Sequence, residues 1–512
     1  MVQIARWAAA FPTKVAAHFP DRGTSITYGV LDARANRIAQ WLIGLGLQPG
    51  EGIAMLMDNR PEFIELVYAC RRAGLYYTPL SVHLRPQEVA YMLTDAAAKA
   101  IIVSPGLAEL ATALLHEGVV GAVPHFAVGE GLEGYDSFED ALNGYPEPVA
   151  LPPRPLGREF LYSSGTTGLP KGIKRPMLAW ENRDAPDWDM TWKSLYGFDT
   201  DTVYLSPAPL YHAAPHGYAI RRTIGEGGTA VVMAKFDPAR ALELIERYRV
   251  THSQWVPTMF VRLLALPEEV RRGFDLSSHR CAIHAAAPCP IALKQRMMEW
   301  WGPILWEYYA GSEGVGTTVA SPQDWMARPG TVGRPVNGVT LHICDDDGRE
   351  LPVGEVGRIC FEGAPRFAYH NAPDKTAAAY NARGWASLGD LGRVDDEGWL
   401  FLSDRRADLI LSGGVNLYPA EIEAVLVRHP AVAEVAVVGV PNEDFGEQVH
   451  AVIVQREPPM DETTLRGELD ALCREHLAGP KRPRSWEFAE ELPRSEAGKL
   501  LRRILKERYL GA

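Results

Sequence analysis

Between residues 161 and 172 the chain reads Leu161-Tyr162-Ser163-Ser164-Gly165-Thr166-Thr167-Gly168-Leu169-Pro170-Lys171-Gly172. Residues 163–171, called the phosphate loop below, contain four hydroxyl side chains, two glycines and one lysine. Hydroxyls and backbone N–H groups donate to phosphate oxygens, glycines let the backbone approach closely, and a lysine adds a point charge. The composition therefore favours a polyphosphate site over an ordinary Ser/Gly/Thr surface loop. The spacing of Gly165, Gly168 and Lys171 differs from that of a Walker A motif.

Length, charge and cysteine content restrict the class of protein. At 512 residues the chain should divide into at least two domains. A formal net charge of −12 argues against a general binder of nucleic acid or anionic membranes. The cysteines show no C-x-x-C spacing, which favours reduced thiols over disulfides or a zinc site. No signal-like segment and no run of about 18 apolar residues is evident, so a cytoplasmic protein is expected.

Short apolar runs alternate with helical patterns through most of the chain, which predicts parallel α/β architecture. Residues 1–20 have the pattern of one amphipathic helix, and residues 32–45 of a second. The same helical pattern predicts two further helices, at Pro61–Ala73 and Pro86–Asp95. Buried strands are predicted at residues 53–57, Tyr76–Leu80, 100–104, Val203–Ser206, 229–233, 253–256 and 280–285.

The pattern changes from about residue 331, where short runs between turn signals indicate antiparallel strands. The charged stretch from Ser403 to Asp408 is the best candidate for a domain boundary. Beyond it, two helical segments and two apolar runs, residues 434–440 and 448–454, predict a small α+β domain of ordinary size.

The phosphate loop resembles that of the adenylate-forming superfamily, which includes acyl-CoA synthetases, peptide-synthetase adenylation domains and luciferases. The usual form is Tyr-Thr-Ser-Gly-Thr-Thr-Gly-x-Pro-Lys-Gly, and Ser163 keeps the hydroxyl where threonine is more usual. The resemblance extends over essentially the whole chain. It implies a large N-terminal domain, residues 1–403, with mixed and parallel sheets, flanking helices and a β-barrel-like part. It also implies a small mobile α+β domain, residues 404–512, that carries the catalytic lysine.

Two segments resemble the family's carboxylate pocket. Pro209-Leu210-Tyr211-His212-Ala213-Ala214-Pro215 is similar to the segment whose histidine or aromatic residue gates that pocket. The resemblance implies that His212 lies near the carboxylate, with Tyr211 and Trp255 as pocket walls. His284-Ala285-Ala286-Ala287-Pro288 stands where the family has Ser-Gly-Gly-Ala-Pro, along the adenine and the acyl group. Ala285 is thereby expected to meet the acyl group, and Ala286 and Ala287 the nucleotide.

Two further segments resemble the family's nucleotide site. In Glu307-Tyr308-Tyr309-Ala310-Gly311-Ser312-Glu313, the resemblance implies that Tyr309 stacks on adenine and that Glu313 coordinates Mg²⁺. Glu307, Tyr308 and Ser312 are also expected to meet ATP. Gly384-Trp385-Ala386-Ser387-Leu388-Gly389-Asp390 is similar to Gly-Trp-x-x-Thr-Gly-Asp, so Asp390 is expected to bind the ribose hydroxyls. Leu388 replaces the threonine, and Arg405 matches the arginine that reaches the ribose or phosphate.

The C-terminal motifs imply a moving domain. Asp404-Arg405-Arg406-Ala407-Asp408 matches the family hinge, with Ala407 at the pivot. Gly413 and Gly414 resemble the loop that contacts coenzyme A, and Lys481 and Arg484 are candidates for its phosphates. Lys499 follows Pro-Arg-x-x-x-Gly and looks like the catalytic lysine.

These parts imply an ATP- and Mg²⁺-dependent carboxylate–CoA ligase that acts through an acyl-adenylate. Its expected substrate is an aromatic, phenylpropenoic or medium-to-long-chain acid, since the pocket residues are apolar and aromatic. Partners other than small molecules are not expected, apart from a homodimer, the commonest closed assembly. One alternative is a stand-alone enzyme that loads a carrier protein. Another is a regulatory nucleotide-binding protein, for which the departures at Leu388 and Ala407 could be cited.

Overall fold

The computed structural model describes residues 3–121, 123–129, 131–146, 148–163, 170–182, 191–405, 408–412, 415–442, 446–477, 479–494 and 500–510. The strands are β1 Val15–Phe19, β2 Thr24–Thr27, β3 Gly52–Leu56, β4 Tyr76–Leu80, β5 Ala98–Val103, β6 His125–Ala127, β7 Asp136–Ser137, β8 Arg158–Ser163, β9 Lys171–Lys174, β10 Val203–Ser206, β11 Thr229–Val232, β12 His252–Trp255, β13 Cys281–His284, β14 Leu305–Ala310, β15 Thr317–Ala320, β16 Arg334–Pro335, β17 Thr340–Cys344, β18 Gly357–Glu362, β19 Asp390–Val394, β20 Leu400–Arg405, β21 Ile410–Ser412, β22 Val415–Leu417, β23 Val432–Asn442, β24 Gly446–Gln455 and β25 Ser485–Phe488.

The α-helices are α1 Gln3–Ala10, α2 Tyr28–Gly44, α3 Pro61–Ala73, α4 Pro86–Asp95, α5 Ala108–His116, α6 Phe138–Leu142, α7 Thr191–Tyr196, α8 Ala213–Pro215, α9 Pro238–Tyr248, α10 Pro257–Leu264, α11 Glu268–Arg272, α12 Ile291–Trp301, α13 Pro322–Ala327, α14 Pro373–Ala378, α15 Pro419–Leu426, α16 Glu462–His476 and α17 Arg502–Leu510. A π-helix, His216–Thr223, continues directly from α8. Within the described ranges, no helix combines the length and the apolar character needed to cross a membrane.

Two large sheets form the N-terminal part of the molecule. Among the described residues, one sheet has the strand order β16-β15-β14-β13-β12-β10-β11-β1-β2, and the other the order β7-β6-β5-β3-β4-β8-β9. The neighbouring strands from β11 through β10, β12 and β13 to β14 are all parallel, as are those from β7 to β8. Helices pack on these sheets because parallel strands are buried on both faces. The predicted α/β architecture is confirmed.

The order of the strands positions the candidate site. The phosphate loop follows β8, the His212 segment follows β10, the Ala285 segment follows β13, and Glu313 follows β14. In open parallel sheets, ligands bind in the crevice beyond the carboxyl ends of the strands. Side chains also link the two sheets: Tyr77 Oη of β4 lies 3.0 Å from His216 Nε2, and Asn59 Nδ2 donates to the Met233 carbonyl at 2.7 Å. The four segments therefore start from the same end of two connected sheets.

Two smaller sheets complete the fold. Strands β17-β18-β19-β20 form an antiparallel sheet whose inner face packs against Tyr309 at the end of β14. In the C-terminal part, β22-β21-β24-β23 are antiparallel and β25 joins β24 in parallel. Helices α15 and α16 bury Leu426 and Leu469 against this last sheet, in a core of its own. The small α+β architecture predicted for this segment is thus present.

The N-terminal segment differs from the sequence prediction. Residues 1–20 do not form one helix, because α1 ends at Ala10 and residues 15–19 form β1, which pairs in parallel with β11. Pro12 explains the break, since proline lacks an N–H group and restrains the preceding residue to extended conformations. The helix predicted at residues 32–45 begins earlier, at Tyr28, where the Thr27 hydroxyl accepts a hydrogen bond from the Val30 N–H.

Candidate active site

One tyrosine joins the lysine of the phosphate loop to the predicted metal ligand. Tyr369 Oη donates a hydrogen bond to Glu313 Oε1 at 2.8 Å, and Lys171 Nζ lies 4.9 Å from the centroid of the Tyr369 ring. Burial and the negative charge of Glu313 raise the pKa of the Tyr369 phenol, so the hydroxyl remains a donor at neutral pH. A cleft of about 300 Å³ beside this contact is lined by residues that include Lys171, His370 and Lys375.

The turn that carries Glu313 is held by an arginine. Arg175 follows β9 and donates from Nη2 to the Ser312 carbonyl at 2.7 Å. A Cβ atom at Gly314 would lie 2.3 Å from Arg175 Nη2, and Gly314 has a φ of +68°. Only glycine suits that position, because it tolerates both the close approach and the left-handed conformation. The strand after the phosphate loop and the Ser312–Glu313 turn are therefore tied together twice, by Tyr369 and by Arg175.

The two residues predicted to hold the adenosine part of ATP are in direct contact. Tyr309 Oη donates to Asp390 Oδ2 at 2.7 Å, and both side chains are buried. Arg405 stands opposite Asp390 in the β19–β20 ladder. Leu388, where the family has threonine, approaches Gly311 so closely that a Cβ there would lie 2.6 Å from Leu388 Cδ2. The missing hydroxyl is thus replaced by an apolar contact beside the Glu313 turn.

Glu307 has a buried cation as its partner. Lys294 Nζ of α12 donates to Glu307 Oε2 at 2.7 Å, and the two residues are 0% and 6% exposed. His284 Nε2 lies 3.4 Å from the same oxygen. Burial lowers the pKa of Lys294 and raises that of Glu307, while each charge counteracts the shift of the other. Burial and the charge of Lys294 lower the pKa of His284, which stays neutral. A nucleotide contact through the Glu307 carboxylate would have to compete with this pair.

Ala286 has an unusual backbone conformation. Its φ is +76°, a region that residues with a Cβ atom rarely adopt, and its side chain is exposed. It follows the end of β13 by two residues, where the family has glycine. The conformation that glycine would permit is therefore retained here by alanine, at an energetic cost of about 1–2 kcal/mol.

Ala286→Gly is expected to raise the free energy of unfolding by about 0.5–1 kcal/mol, since relief of the strain exceeds the extra chain entropy of glycine. Urea unfolding followed by tryptophan fluorescence measures the change. Ala287→Gly is the matched control: its φ is not positive, so the same substitution should lower stability. Equal losses in both variants would show that the left-handed conformation of Ala286 carries no strain.

Of the aromatic residues predicted for the acyl site, Tyr211 and His212 pack together, whereas Trp255 lies in the core. The Tyr211 and His212 rings pack at a centroid distance of 4.7 Å, and His212 is half-buried at the start of α8. Trp255 is 1% exposed, donates from Nε1 to Ser253 Oγ at 2.6 Å, and packs against Phe260. Ala285 is buried at the end of β13. The structure therefore brings Tyr211 and His212 together and has the Trp255 indole in the core between β12 and helices α10 and α12.

The C-terminal candidates form contacts within their own domain. Lys481 Nζ donates to Glu421 Oε1 at 2.5 Å, and the Arg484 N–H donates to the Val449 carbonyl at 2.9 Å.

Several predicted residues lie outside the described residues: Ser164, Gly165, Thr166, Thr167, Gly168, Ala407, Gly413, Gly414 and Lys499. Ser163 ends β8, and Tyr308 lies on β14 with its ring 6.1 Å from that of Tyr218.

Tyr369 and Arg175 were not identified from the sequence. Arg175 ends the basic run Lys171-Gly172-Ile173-Lys174-Arg175, which was a detectable signal. Tyr369 offered none, because its partners Glu313 and Lys171 are far away in the chain. The backbone explains the contact: residue 369 forms a bridge with Ile173 of β9, and the His370 N–H donates to the Gly172 carbonyl at 2.8 Å.

Comparison with known proteins identifies the family. A model of the AMP-binding enzyme family matches residues 4–367, and a model of the AMP-binding enzyme C-terminal domain matches residues 421–499. The chain belongs to the AMP-binding enzyme family. This AMP-binding enzyme is therefore a member of the adenylate-forming superfamily, as the phosphate loop and the later motifs predicted, and its fold class is the one expected for that superfamily.

Curated relatives align with almost the whole of this AMP-binding enzyme. A feruloyl-CoA synthase from Amycolatopsis sp. is 33% identical over 95% of this chain and 94% of its own length. A fatty acid–[acyl-carrier-protein] ligase from Streptomyces coeruleorubidus is 32% identical over 96% and 92%. A medium/long-chain fatty acid–CoA ligase from Mycobacterium tuberculosis is 32% identical over 95% and 86%.

Solved structures of similar proteins share the fold. ATP-bound MatB from Rhodopseudomonas palustris is 30% identical, with a TM-score of 0.83 over 99% of this chain and 98% of that chain. The o-succinylbenzoate CoA synthetase from Bacillus subtilis, in complex with its acyl-adenylate, is 28% identical, with a TM-score of 0.81 over 99% and 98%.

Proposed function

We propose that this protein is an ATP-dependent carboxylic acid–CoA ligase that acts on an aromatic or a fatty acid. The observation that carries the proposal is a group of three contacts: Lys171 and Glu313 both meet Tyr369, Leu388 closely approaches Gly311, and Tyr309 binds Asp390. These contacts join the predicted phosphate, metal and adenosine residues within one region. The relatives with acid–CoA ligase activity, similar over nearly their full length, support the same reaction.

The first half-reaction joins two anions. A carboxylate oxygen of the acid attacks the α-phosphorus of ATP, the bond to the bridging oxygen of the β-phosphate breaks, and pyrophosphate leaves. Positioning and charge neutralisation are the main requirements of such a step. In this proposal Lys499 bridges the carboxylate and α-phosphate oxygens, the phosphate loop with Lys171 holds the β- and γ-phosphates, and Asp390 and Tyr309 hold the adenosine.

The residues present fit Mg²⁺. Glu313 supplies a half-buried carboxylate whose Oε1 is engaged by Tyr369, while Oε2 lies toward Gly311. Within the described ranges no group of three or more His, Cys, Asp or Glu side chains could hold a metal. Mg²⁺ commonly binds through one or two carboxylates together with substrate phosphates. Bound at Glu313, it would neutralise negative charge on the phosphates, and the protein would not need a complete set of metal ligands.

The second half-reaction transfers the acyl group to a thiol. The thiolate of coenzyme A attacks the carbonyl carbon of the acyl-adenylate, the bond to the phosphate oxygen breaks, and AMP leaves with the thioester formed. In this proposal the C-terminal domain turns about Ala407, withdraws Lys499 and presents Gly413 and Gly414 to coenzyme A. Lys481 and Arg484 then lie on the domain that meets the coenzyme A phosphates.

The acid is proposed to be apolar. In this proposal Tyr211 and His212, whose rings pack together, and the buried Ala285 supply the aromatic and aliphatic surface that meets the acid. The exposed methyl group of Ala286 reduces the space that glycine would leave. An aryl, phenylpropenoic or medium-to-long aliphatic acid with a narrow acyl group would therefore fit this apolar pocket better than a polar diacid.

Pyrophosphate release from ATP and Mg²⁺, measured with and without coenzyme A, tests the function. The acid panel should contain benzoic, cinnamic, short-, medium- and long-chain acids and a dicarboxylic acid. Coenzyme A-dependent turnover with one apolar class is expected. Absence of pyrophosphate release across the panel by a chain that still binds ATP would contradict the ligase and favour the regulatory alternative.

A carrier-protein ligase is the second candidate, because the Streptomyces coeruleorubidus relative is named for that reaction. It shares the adenylation step and differs only in the thiol. Release of a single equivalent of pyrophosphate that coenzyme A does not accelerate, with turnover restored by a phosphopantetheine-bearing carrier protein, would favour it.

A further inference from the structure

We infer that Tyr369 is a positioning residue of the nucleotide site, which orients the Glu313 carboxylate for the metal and holds Lys171 for the phosphates. The inference rests on the proposed function, since it assigns a residue to the same site. Tyr369 lies on the segment between β18 and α14, outside every motif that the sequence pattern picked out.

The hydroxyl acts on the carboxylate. A carboxylate has two oxygens, and Tyr369 Oη donates to Oε1 of Glu313 at 2.8 Å. Oε2 lies on the other side, where a Cβ at Gly311 would be 2.8 Å away. A hydrogen bond to one oxygen fixes the rotation of the carboxylate and leaves the second oxygen for a cation. Such outer partners of metal ligands commonly change metal affinity by about 10–100-fold.

The ring acts on the lysine. Lys171 Nζ lies 4.9 Å from the ring centroid, within the range of a cation–π contact. A lysine at the end of a Gly- and Ser-rich loop has four rotatable side-chain bonds, and the ring limits where its ammonium group can lie. The same side chain therefore sets the position of one positive charge and of one metal-binding carboxylate.

The position of Tyr369 is itself well determined. Its N–H donates to Thr376 Oγ1 at 2.9 Å, its backbone forms a bridge with Ile173, and its ring packs edge-on against Phe367 at 5.2 Å. His370 Nε2 lies 3.0 Å from the Asp95 carbonyl oxygen, and Asn371 Nδ2 donates to Asp95 Oδ1 at 3.1 Å. These contacts attach the segment to both β9 and α4, so the backbone that carries the Tyr369 side chain is held in place.

Two substitutions separate the two roles. Tyr369→Phe removes the hydroxyl and keeps the ring, whereas Tyr369→Leu removes both. The matched control is Tyr380→Phe: Tyr380 Oη donates to the Phe367 carbonyl at 3.0 Å and accepts from the Phe367 N–H at 2.9 Å, on the same segment. The control removes a phenol hydroxyl of the neighbouring structure that has no contact with Glu313 among those described.

Binding of α,β-methylene-ATP to the full-length chain, measured by calorimetry across a Mg²⁺ series and in EDTA, gives the readout without acid or coenzyme A. For Tyr369→Phe, the Mg²⁺ concentration at half-maximal enhancement of binding should rise about tenfold, with affinity in EDTA unchanged. Tyr369→Leu should also weaken binding in EDTA, through Lys171. Tyr380→Phe should lower the thermal midpoint and leave the Mg²⁺ dependence at the wild-type value.

The experiment distinguishes failure of this inference from failure of the proposed function. Equal Mg²⁺ dependence in Tyr369→Phe and the wild type, or an equal shift in Tyr380→Phe, would reduce Tyr369 to a structural residue and overturn the inference alone. A wild-type chain that bound no nucleotide would overturn the proposed function and the inference with it. A tenfold shift confined to the Tyr369 variants, in protein that does not turn over any acid of the panel, would support the inference and leave only the reaction in question.

Discussion

Lys499→Ala is expected to lower the rate of pyrophosphate release by at least about 100-fold and to leave thioester formation from a supplied acyl-adenylate within about threefold of the wild-type rate. The first half-reaction brings a carboxylate to a triphosphate, and an ammonium group between them neutralises charge that develops in the transition state. The second half-reaction starts from a thiolate and the carbonyl carbon of a mixed carboxylic–phosphoric anhydride, whose bond to the α-phosphorus is already formed. This step needs no cation at the α-phosphate, so Lys499→Ala should lower the rate of pyrophosphate release much more than the rate of thioester formation.

The described residues that flank Lys499 are anchored on both sides. Residues 494 and 500 form an antiparallel bridge, and the Leu501 N–H donates to the Pro493 carbonyl at 2.8 Å. Arg494 donates from Nε and Nη2 to Glu434 Oε2 at 3.0 and 2.8 Å, which ties residue 494 to β23. The described residues on both sides of Lys499 are therefore fixed to the C-terminal sheet. If the C-terminal domain turns as proposed, one rotation would carry the lysine away from the site when adenylation is complete.

Lys506→Ala is the matched control. Lys506 lies on α17, a few residues beyond, and its Nζ is 4.0 Å from Glu447 Oε1. The substitution removes the same charge from the same part of the domain, and both half-reactions should stay within about twofold of wild type, as is usual for a surface ion pair. Pyrophosphate release and single-turnover thioester formation from a synthetic acyl-adenylate measure the two steps. An equal fall of both rates in Lys499→Ala would refute the division of labour between the half-reactions.

Local signals were sufficient for many elements of the fold. Helix α3 has the predicted bounds because Pro61 occupies its first turn and Gly74, with a φ of +69°, ends it. Strand β1 was missed although one of its partners, β2, is only a few residues away; its other partner, β11, lies more than 200 residues later. A short stretch of Ala, Val and Phe carries too little periodicity to distinguish a strand from a helix until its partner is known.

In the candidate site, too, local motifs were visible in the sequence, whereas contacts between distant residues were not. Motif residues such as Glu313 and Asp390 were identified because the family motif is local in sequence. Their partners were not: Tyr369 donates to Glu313 across 56 residues, and Tyr309 donates to Asp390 across 81. The φ of Ala286 was equally hidden, since the sequence shows only that alanine replaces glycine. Sequence therefore named the groups predicted to carry the chemistry, and only the fold showed which side chains contact them.

The largest effect on stability is expected at the buried pair between α12 and β14. Glu307→Leu leaves the Lys294 ammonium without its partner, and Lys294→Met leaves the Glu307 carboxylate without its own. Each single substitution should lower the free energy of unfolding by about 3–5 kcal/mol, because the remaining charge is desolvated and uncompensated. The Trp325 ring, 4.7 Å from Lys294 Nζ, does not replace the carboxylate, since cation–π contacts contribute about 1–2 kcal/mol.

The double variant Lys294→Met/Glu307→Leu is the decisive comparison. It replaces the pair by apolar groups of similar volume, so it should unfold within about 1–2 kcal/mol of the wild type, and the double-mutant cycle should give a large coupling energy. Urea unfolding followed by tryptophan fluorescence measures all four proteins. Additive losses would contradict a direct ion pair.

The same double variant decides what Glu307 does in the nucleotide site. The resemblance places Glu307 beside ATP, whereas in the structure its Oε2 accepts from Lys294 at 2.7 Å and its side chain is almost wholly buried. A folded double variant that keeps the KM for ATP within about threefold of wild type would make the carboxylate a support for β14 and leave nucleotide contact to the backbone. A rise of more than about tenfold, with the fold intact, would mean that the carboxylate leaves Lys294 to meet ATP, and that the buried pair is a resting arrangement of the site.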